Sequence, residues 1–182
     1  MPISPQVIPT SSGRTVTVLG GDIITFKVTA AETAGAFSVL ETITPPGGGP
    51  PPHVHEREDE TFYVLEGEFQ FQIGKESTVA GPGTMVLAPR GIPHAFRNTG
   101  LTPGKLLVVV SPGGFERFMQ EFSELPANAP PDMAKLAAMG RKHGIKFLAA
   151  CDATTQTPKA APKRPRLPLW HAMFWRKFLP AR

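Results

Sequence analysis

Residues 47–67 read GGGPPPHVHEREDETFYVLEG and bring three potential metal ligands, His53, His55 and Glu60, within eight residues of one another. A fourth, His94, sits in a second block punctuated by glycine and proline, PGTMVLAPRGIPHAFRN. Alternate side chains of an extended strand share a face, so the His-x-His pair would project both imidazoles to one side and Val54 to the other. Glu60 follows a short charged turn at the head of a strand-like run, and a hairpin there would return its carboxylate beside the two histidines. The ligand set expected is three imidazoles and one carboxylate. The rival reading, solvated polar residues near turns with no metal, is the one adopted for Glu56, Arg57, Glu58 and Asp59.

Such a donor set suits Fe, Mn, Ni, Co or Zn as divalent ions, and affinity order alone does not choose among them. Four protein ligands on an ion that favours six leave about two positions for water, dioxygen or substrate. All three histidines must be neutral to ligate, so occupancy is expected to weaken below about pH 6.5.

The elements that must hold these residues are short. Strands are expected over 15–18, 22–29, 36–44, 53–55, 61–65, 68–73, 76–79, 84–88, 94–98 and 105–111, separated by Gly, Pro and Asn. That spacing is the signature of an all-β sandwich or barrel. In EFQFQI (68–73), Phe69, Phe71 and Ile73 alternate with polar residues and should face the core. Leu106 to Val110 is continuously apolar, as in a strand covered on both faces. After Ser111 the period changes: Phe115, Phe118, Met119 and Phe122 form the buried stripe of a helix near 115–123. Pro130, Pro131 and Asp132 open a second helical segment that runs to about His143 and stops at Gly144. The helices are expected to close over one side of the β-body.

Written as patterns, the two blocks are G-x5-H-x-H-x4-E-x6-G (Gly47, His53, His55, Glu60, Gly67) and G-x5-P-x-G-x2-H-x3-N (Gly83, Pro89, Gly91, His94, Asn98). They resemble, in order and complete, the two signature motifs of the cupin superfamily, and of its single-domain, quercetin dioxygenase-like group. The resemblance implies an all-β jelly-roll barrel (a double-stranded β-helix) of two antiparallel sheets, with short C-terminal helices. It implies a divalent metal held inside by His53, His55, Glu60 and His94, and it implies a homodimer. The motif glycines supply turns that need positive φ, and the prolines from Pro45 to Pro52 stiffen the approach to the His-x-His strand. Asn98 is expected to satisfy turn backbone groups rather than to bind metal.

The function expected from that resemblance is a metal-dependent dioxygenase acting on a small aromatic or enolic, flavonol-like substrate. Glu60 would serve as catalytic base for an acidic substrate hydroxyl, and Phe62, two residues on, would share its strand face. Two rivals stay open: a non-catalytic cupin that binds a metal or small molecule, and an isomerase or lyase. Oxygen uptake separates the first reading from both. Thiol dioxygenase chemistry is disfavoured, because such proteins generally lack the carboxylate supplied here by Glu60.

The chain has 182 residues, 41% of them hydrophobic, enough for one core. Residues 1–150 are read as the barrel with its helices, and 151–182 as a basic, Pro-rich linker and aromatic tail. The net charge of +4 is unevenly placed: residues 159–182 carry seven basic and no acidic side chains, leaving 12 basic against 15 acidic in the rest. A mildly acidic body disfavours nucleic acid as a partner. No apolar run approaches the roughly 18 residues of a membrane span, and the N-terminus lacks the features of a signal peptide, so a cytoplasmic location is expected. The lone Cys151 cannot form an internal disulfide. Trp170 and Trp175 lie among basic and apolar residues, a pattern open to weak membrane or subunit contact or to a disordered tail. His143 is read as a helix-end cation and His171 as an exposed tail residue.

Overall fold

The computed structural model describes residues 3–18, 20–125 and 132–148. The tail from 151 on, with Cys151, His171 and both tryptophans, lies outside the described residues. Eleven strands and two helices occur among those described: β1 (Arg14–Thr17), β2 (Ile23–Val28), β3 (Ser38–Thr44), β4 (His53–His55), β5 (Asp59–Glu66), β6 (Phe69–Ile73), β7 (Glu76–Ala80), β8 (Met85–Ala88), β9 (His94–Asn98), β10 (Gly104–Ser111), α1 (Phe115–Ser123), α2 (Met133–His143) and β11 (Ile145–Phe147). Ten of the strands and both helices answer to sequence expectations, with ends shifted by a residue or two. β11 was not expected, because three residues between a helix stop and a Pro/Thr-rich stretch carry no periodicity to read.

The strands form two antiparallel sheets, ordered β1-β2-β3-β10-β5-β8 and β11-β4-β9-β6-β7. This is the jelly-roll barrel. Its core is built by alternation: Phe69 and Phe71 of β6, Phe62 and Val64 of β5, and Leu106, Val108 and Val110 of β10 are all buried. β10 corrects the expectation of a strand covered on both faces, since Leu107 and Val109 are only half-buried. It lies between β3 and β5, and pairing on both edges, rather than layers on both faces, explains its continuous apolar run.

Helix α1 lays Phe115 and Phe118 onto the barrel, as the apolar stripe requires. Helix α2 is capped by the Asp132 carboxylate, which accepts from the backbone N–H groups of Ala134 and Lys135 at 3.0 and 3.1 Å. It ends at Gly144 in the left-handed conformation. His143, in its last turn, bonds Glu121 of α1 at 2.9 Å and so ties the two helices together. The chain then turns straight into β11, which pairs with β4 (Ile145↔His55, Phe147↔His53). The edge of the His-x-His strand is thereby covered. No helix among the described residues is long and apolar enough to cross a membrane.

Candidate metal centre

The four expected ligands converge. His53, His55, Glu60 and His94 are all buried, and their donor atoms lie within 4.8 Å of one another. β4 places His53 and His55 on its inward face, and the β4–β9 pairing sets His53 directly opposite His94. Their ring centroids are 4.4 Å apart, and those of His55 and His94 are 5.4 Å apart. Glu60 arrives by a route the sequence did not suggest. It lies on β5, in the other sheet, so no β4–β5 hairpin returns it beside the histidines. Its Oε2 reaches across the barrel interior to 3.0 Å from His94 Nε2 and 3.5 Å from His55 Nε2.

Tautomers follow from the outer partners of the rings. His53 Nδ1 lies 2.9 Å from the Pro51 carbonyl oxygen, and His94 Nδ1 lies 3.0 Å from that of Ile92. A carbonyl only accepts, so both Nδ1 atoms carry hydrogen and both Nε2 atoms of the neutral rings present lone pairs inward. His55 Nδ1 faces the Glu58 carboxylate at 3.4 Å, while its Nε2 is buried without a hydrogen-bond partner. Glu58 is buried too, which overturns its reading as part of a solvated charge run. The other three members of that run do lie at or near the surface. Asp59 binds Arg90 through both carboxylate oxygens, at 3.0 and 2.6 Å, and Glu56 pairs with Lys146.

Three inward lone pairs facing a carboxylate oxygen repel unless positive charge lies among them. Donors about 2.1 Å from one ion and at right angles to each other are about 3 Å apart, the separation of His94 Nε2 and Glu60 Oε2. The donor set therefore fits a divalent transition metal, and the orphaned His55 Nε2 is the atom that most requires one.

Electrostatics support a site poised between proton and cation. Burial, reinforced by the neighbouring His94 and His55, pulls His53 down to about 3, so that ring is neutral at ordinary pH. For His55 burial acts downward as well, but the Glu58 and Glu60 carboxylates outweigh it and raise the ring above its usual range. Burial would push Glu60 up, yet wherever a proton rather than a cation occupies the site, a hydrogen bond from His94 Nε2 and the charge on the adjacent rings hold it below the ordinary carboxylate range.

Around the donors lies a largely apolar cavity of about 100 Å³, room for several waters or one small organic molecule. Phe62 and Phe96 line it together with Phe115 and Phe118 of α1 and Phe147 of β11. Phe62 is where its spacing from Glu60 put it, whereas Phe69 and Phe71 belong to the core. Asn98 also behaves as expected: its amide donates to the Thr44 and Thr102 carbonyls, and its oxygen accepts from the Gly100 N–H. The turn glycines Gly47, Gly67, Gly83 and Gly91 have φ between 74° and 85°.

Reasoning from the sequence missed Glu58, Asp22 and Thr42. For Glu58 a signal existed, a carboxylate three residues from a ligand histidine, able to reach its outer nitrogen. Asp22 and Thr42 line the cavity from the opposite wall, and nothing local distinguishes them.

Comparison with known proteins agrees with this geometry. Residues 40–110 match the Cupin_2 family, described as a cupin domain. Quercetin 2,3-dioxygenase of Bacillus subtilis is 31% identical over 116 residues, 62% of this chain, although the chain spans only 34% of that protein's length. Protein SchB of Streptomyces halstedii is 30% identical over 95 residues, which cover 51% of this chain and 67% of SchB. Among solved structures, KdgF from Halomonas sp. superposes with a TM-score of 0.57 at 18% identity, over 63% of this chain and 99% of KdgF, a likeness of fold. The two-sheet barrel, the matched segment that spans both histidine blocks and these relatives together establish that the chain belongs to the cupin superfamily.

Proposed function

We propose that this protein is a metal-dependent dioxygenase acting on a small aromatic or enolic substrate of flavonol-like chemistry, with His53, His55, Glu60 and His94 as metal ligands. The observation that carries the reading is a buried three-histidine, one-carboxylate cluster that opens into a cavity walled by phenylalanine. The similarity to quercetin 2,3-dioxygenase supports the same substrate class.

When bound, the metal would supply Lewis acidity, lowering the pKa of an acidic hydroxyl beside it. The remaining work falls to side chains. Phe62, Phe96, Phe115 and Phe118 provide flat apolar walls that take up an aromatic ring and exclude water. A Glu60 carboxylate oxygen is the base: it accepts the proton of the substrate hydroxyl, becoming a carboxylic acid and leaving an organic anion. The anion is richer in electrons than its parent and is the species that reacts with dioxygen.

Oxygen consumption by metal-loaded protein, measured with flavonol, catechol and β-diketone substrates, tests the proposal. Glu60→Gln is expected to lower turnover by at least about a hundredfold, within the range of general base catalysis. Turnover unchanged in Glu60→Gln would remove the base role. Tight binding of all three substrate types without oxygen uptake would instead favour a non-catalytic binding cupin.

A further inference from the structure

The cavity has a second polar pole. Asp22, at the head of β2, and Thr42, on β3, line it together with His53 and Glu60. Asp22 is 7% exposed and Thr42 4%. Asp22 Oδ1 and Thr42 Oγ1 are both buried without a hydrogen-bond partner. Buried polar atoms left unmade cost stability, and a carboxylate costs most. In the β1–β2 turn the backbone carbonyl of Asp22 accepts from Val18 N–H at 2.9 Å, and among the described residues nothing bonds its Oδ1. Burial raises the Asp22 carboxyl above its ordinary range, an effect the neighbouring Thr44 hydroxyl reduces without completing a hydrogen bond of good geometry.

Strand register places this pole far from the candidate metal ligands. Along β10, Val110 stands opposite Glu60 of β5, while Leu106 stands opposite both Val64 of β5 and Thr42 of β3. Thr42 is therefore level with a residue four positions along β5 from Glu60, about 13 Å away at ~3.3 Å per residue. Leu40, Phe62, Phe96 and Val108 form the apolar wall between the poles. The cavity thus has the Glu60 carboxylate near one pole, the unsatisfied oxygens of Asp22 and Thr42 near the other, and apolar side chains between.

Resting on the substrate class proposed above, we infer that Asp22 and Thr42 position the substrate by binding a hydroxyl group at the end of the molecule remote from Glu60. A hydroxyl serves this pair in either state of the carboxyl: it donates to an ionised Asp22 and accepts from a protonated one. A bare ring edge leaves both oxygens unsatisfied, and an ether, which only accepts, leaves an ionised Asp22 unsatisfied. The positioning pair thus selects molecules with a hydroxyl on the distal ring and sets which oxygen faces Glu60.

The test is calorimetric titration of the full chain, loaded with manganese(II) and kept free of dioxygen, with 3-hydroxyflavone and with 3,4′-dihydroxyflavone. A hydrogen bond to a charged group corresponds to roughly tenfold or more in affinity, so the dihydroxy compound should bind at least about tenfold tighter to the wild type. Asp22→Leu should bring the two affinities to within about threefold of each other, with the metal content of the wild type. Thr42→Val, close in shape, should reduce the preference in part, and it supplies the answer if Asp22→Leu does not fold. A merely structural Asp22 would weaken both ligands alike. The inference is overturned if the wild type binds both compounds equally or neither, if both variants keep the full preference, or if an amino group at the 4′ position is favoured over the hydroxyl. Selective binding without oxygen uptake would leave this inference standing and overturn only the dioxygenase reading.

Discussion

His94 Nε2 and Glu60 Oε2 face each other at 3.0 Å across the barrel interior, one from each sheet. The contact bridges β9 and β5, which are not hydrogen-bonded neighbours, so the site reports on how the two sheets pack. A cation held there binds only the folded arrangement and should stabilise it. Manganese(II) at a hundred times its dissociation constant is expected to add about 2.7 kcal/mol, seen as a rise in thermal midpoint. His53→Ala and His94→Ala should show no such rise and should retain no metal after dialysis. An equal rise in His94→Ala would place the bound ion elsewhere.

Glu58 touches His55 from behind, at 3.4 Å. A carboxylate there fixes the ring's tautomer and increases its basicity, so Glu58→Gln is expected to weaken metal affinity about 10- to 100-fold. Competition with a chromophoric chelator measures this directly. Glu56→Gln, on an exposed neighbour, serves as the control and should leave affinity unchanged.

Arg90 joins the second histidine block to the head of β5. Its guanidinium and backbone N–H donate to Asp59 and hold that carboxyl down to about 2. A carboxyl lowered on folding contributes stability that is present above its unfolded value near 3.8 and is lost as pH falls toward 2. Denaturant midpoints of the wild type should therefore exceed those of Arg90→Met at pH 5 and converge with them between about pH 4 and 2. Curves that stay parallel through that window would assign the lowered carboxyl to another partner.

Gly49 has φ of 134°, and a Cβ there would sit 2.1 Å from the Phe96 carbonyl oxygen. Gly49→Ala must push the entry to β4 away from β9, at a cost on the order of 1–3 kcal/mol. Because His53 and His94 meet across that same seam, metal affinity should fall with the thermal midpoint. A stable Gly49→Ala with undiminished metal affinity would show that the approach of the two strands is looser than the structure has it.

Much of this was legible in the chain. Alternation located β6 and put Phe62 on the face of Glu60, the Phe115/Phe118 stripe announced α1, and Asp132 and Gly144 bounded α2. These are local signals, since side-chain direction along a strand or helix depends on spacing alone. The identity of the four candidate ligands was equally local, two motif blocks of fixed spacing.

What residue spacing could not settle is which sheet each strand joins. Glu60 lies only five residues from His55, and the short chain distance suggested a hairpin; pairing with β8 and β10 instead carried β5 to the opposite wall. The same long-range pairing buried Glu58, covered β4 with β11, and brought Asp22 and Thr42 into a cavity shared with residues of β4 and β5. Sequence determined the donors and the faces they occupy, because those follow from period-two geometry. Tertiary structure alone decided their convergence, because it depends on hydrogen-bond pairing and apolar burial between segments far apart in the chain.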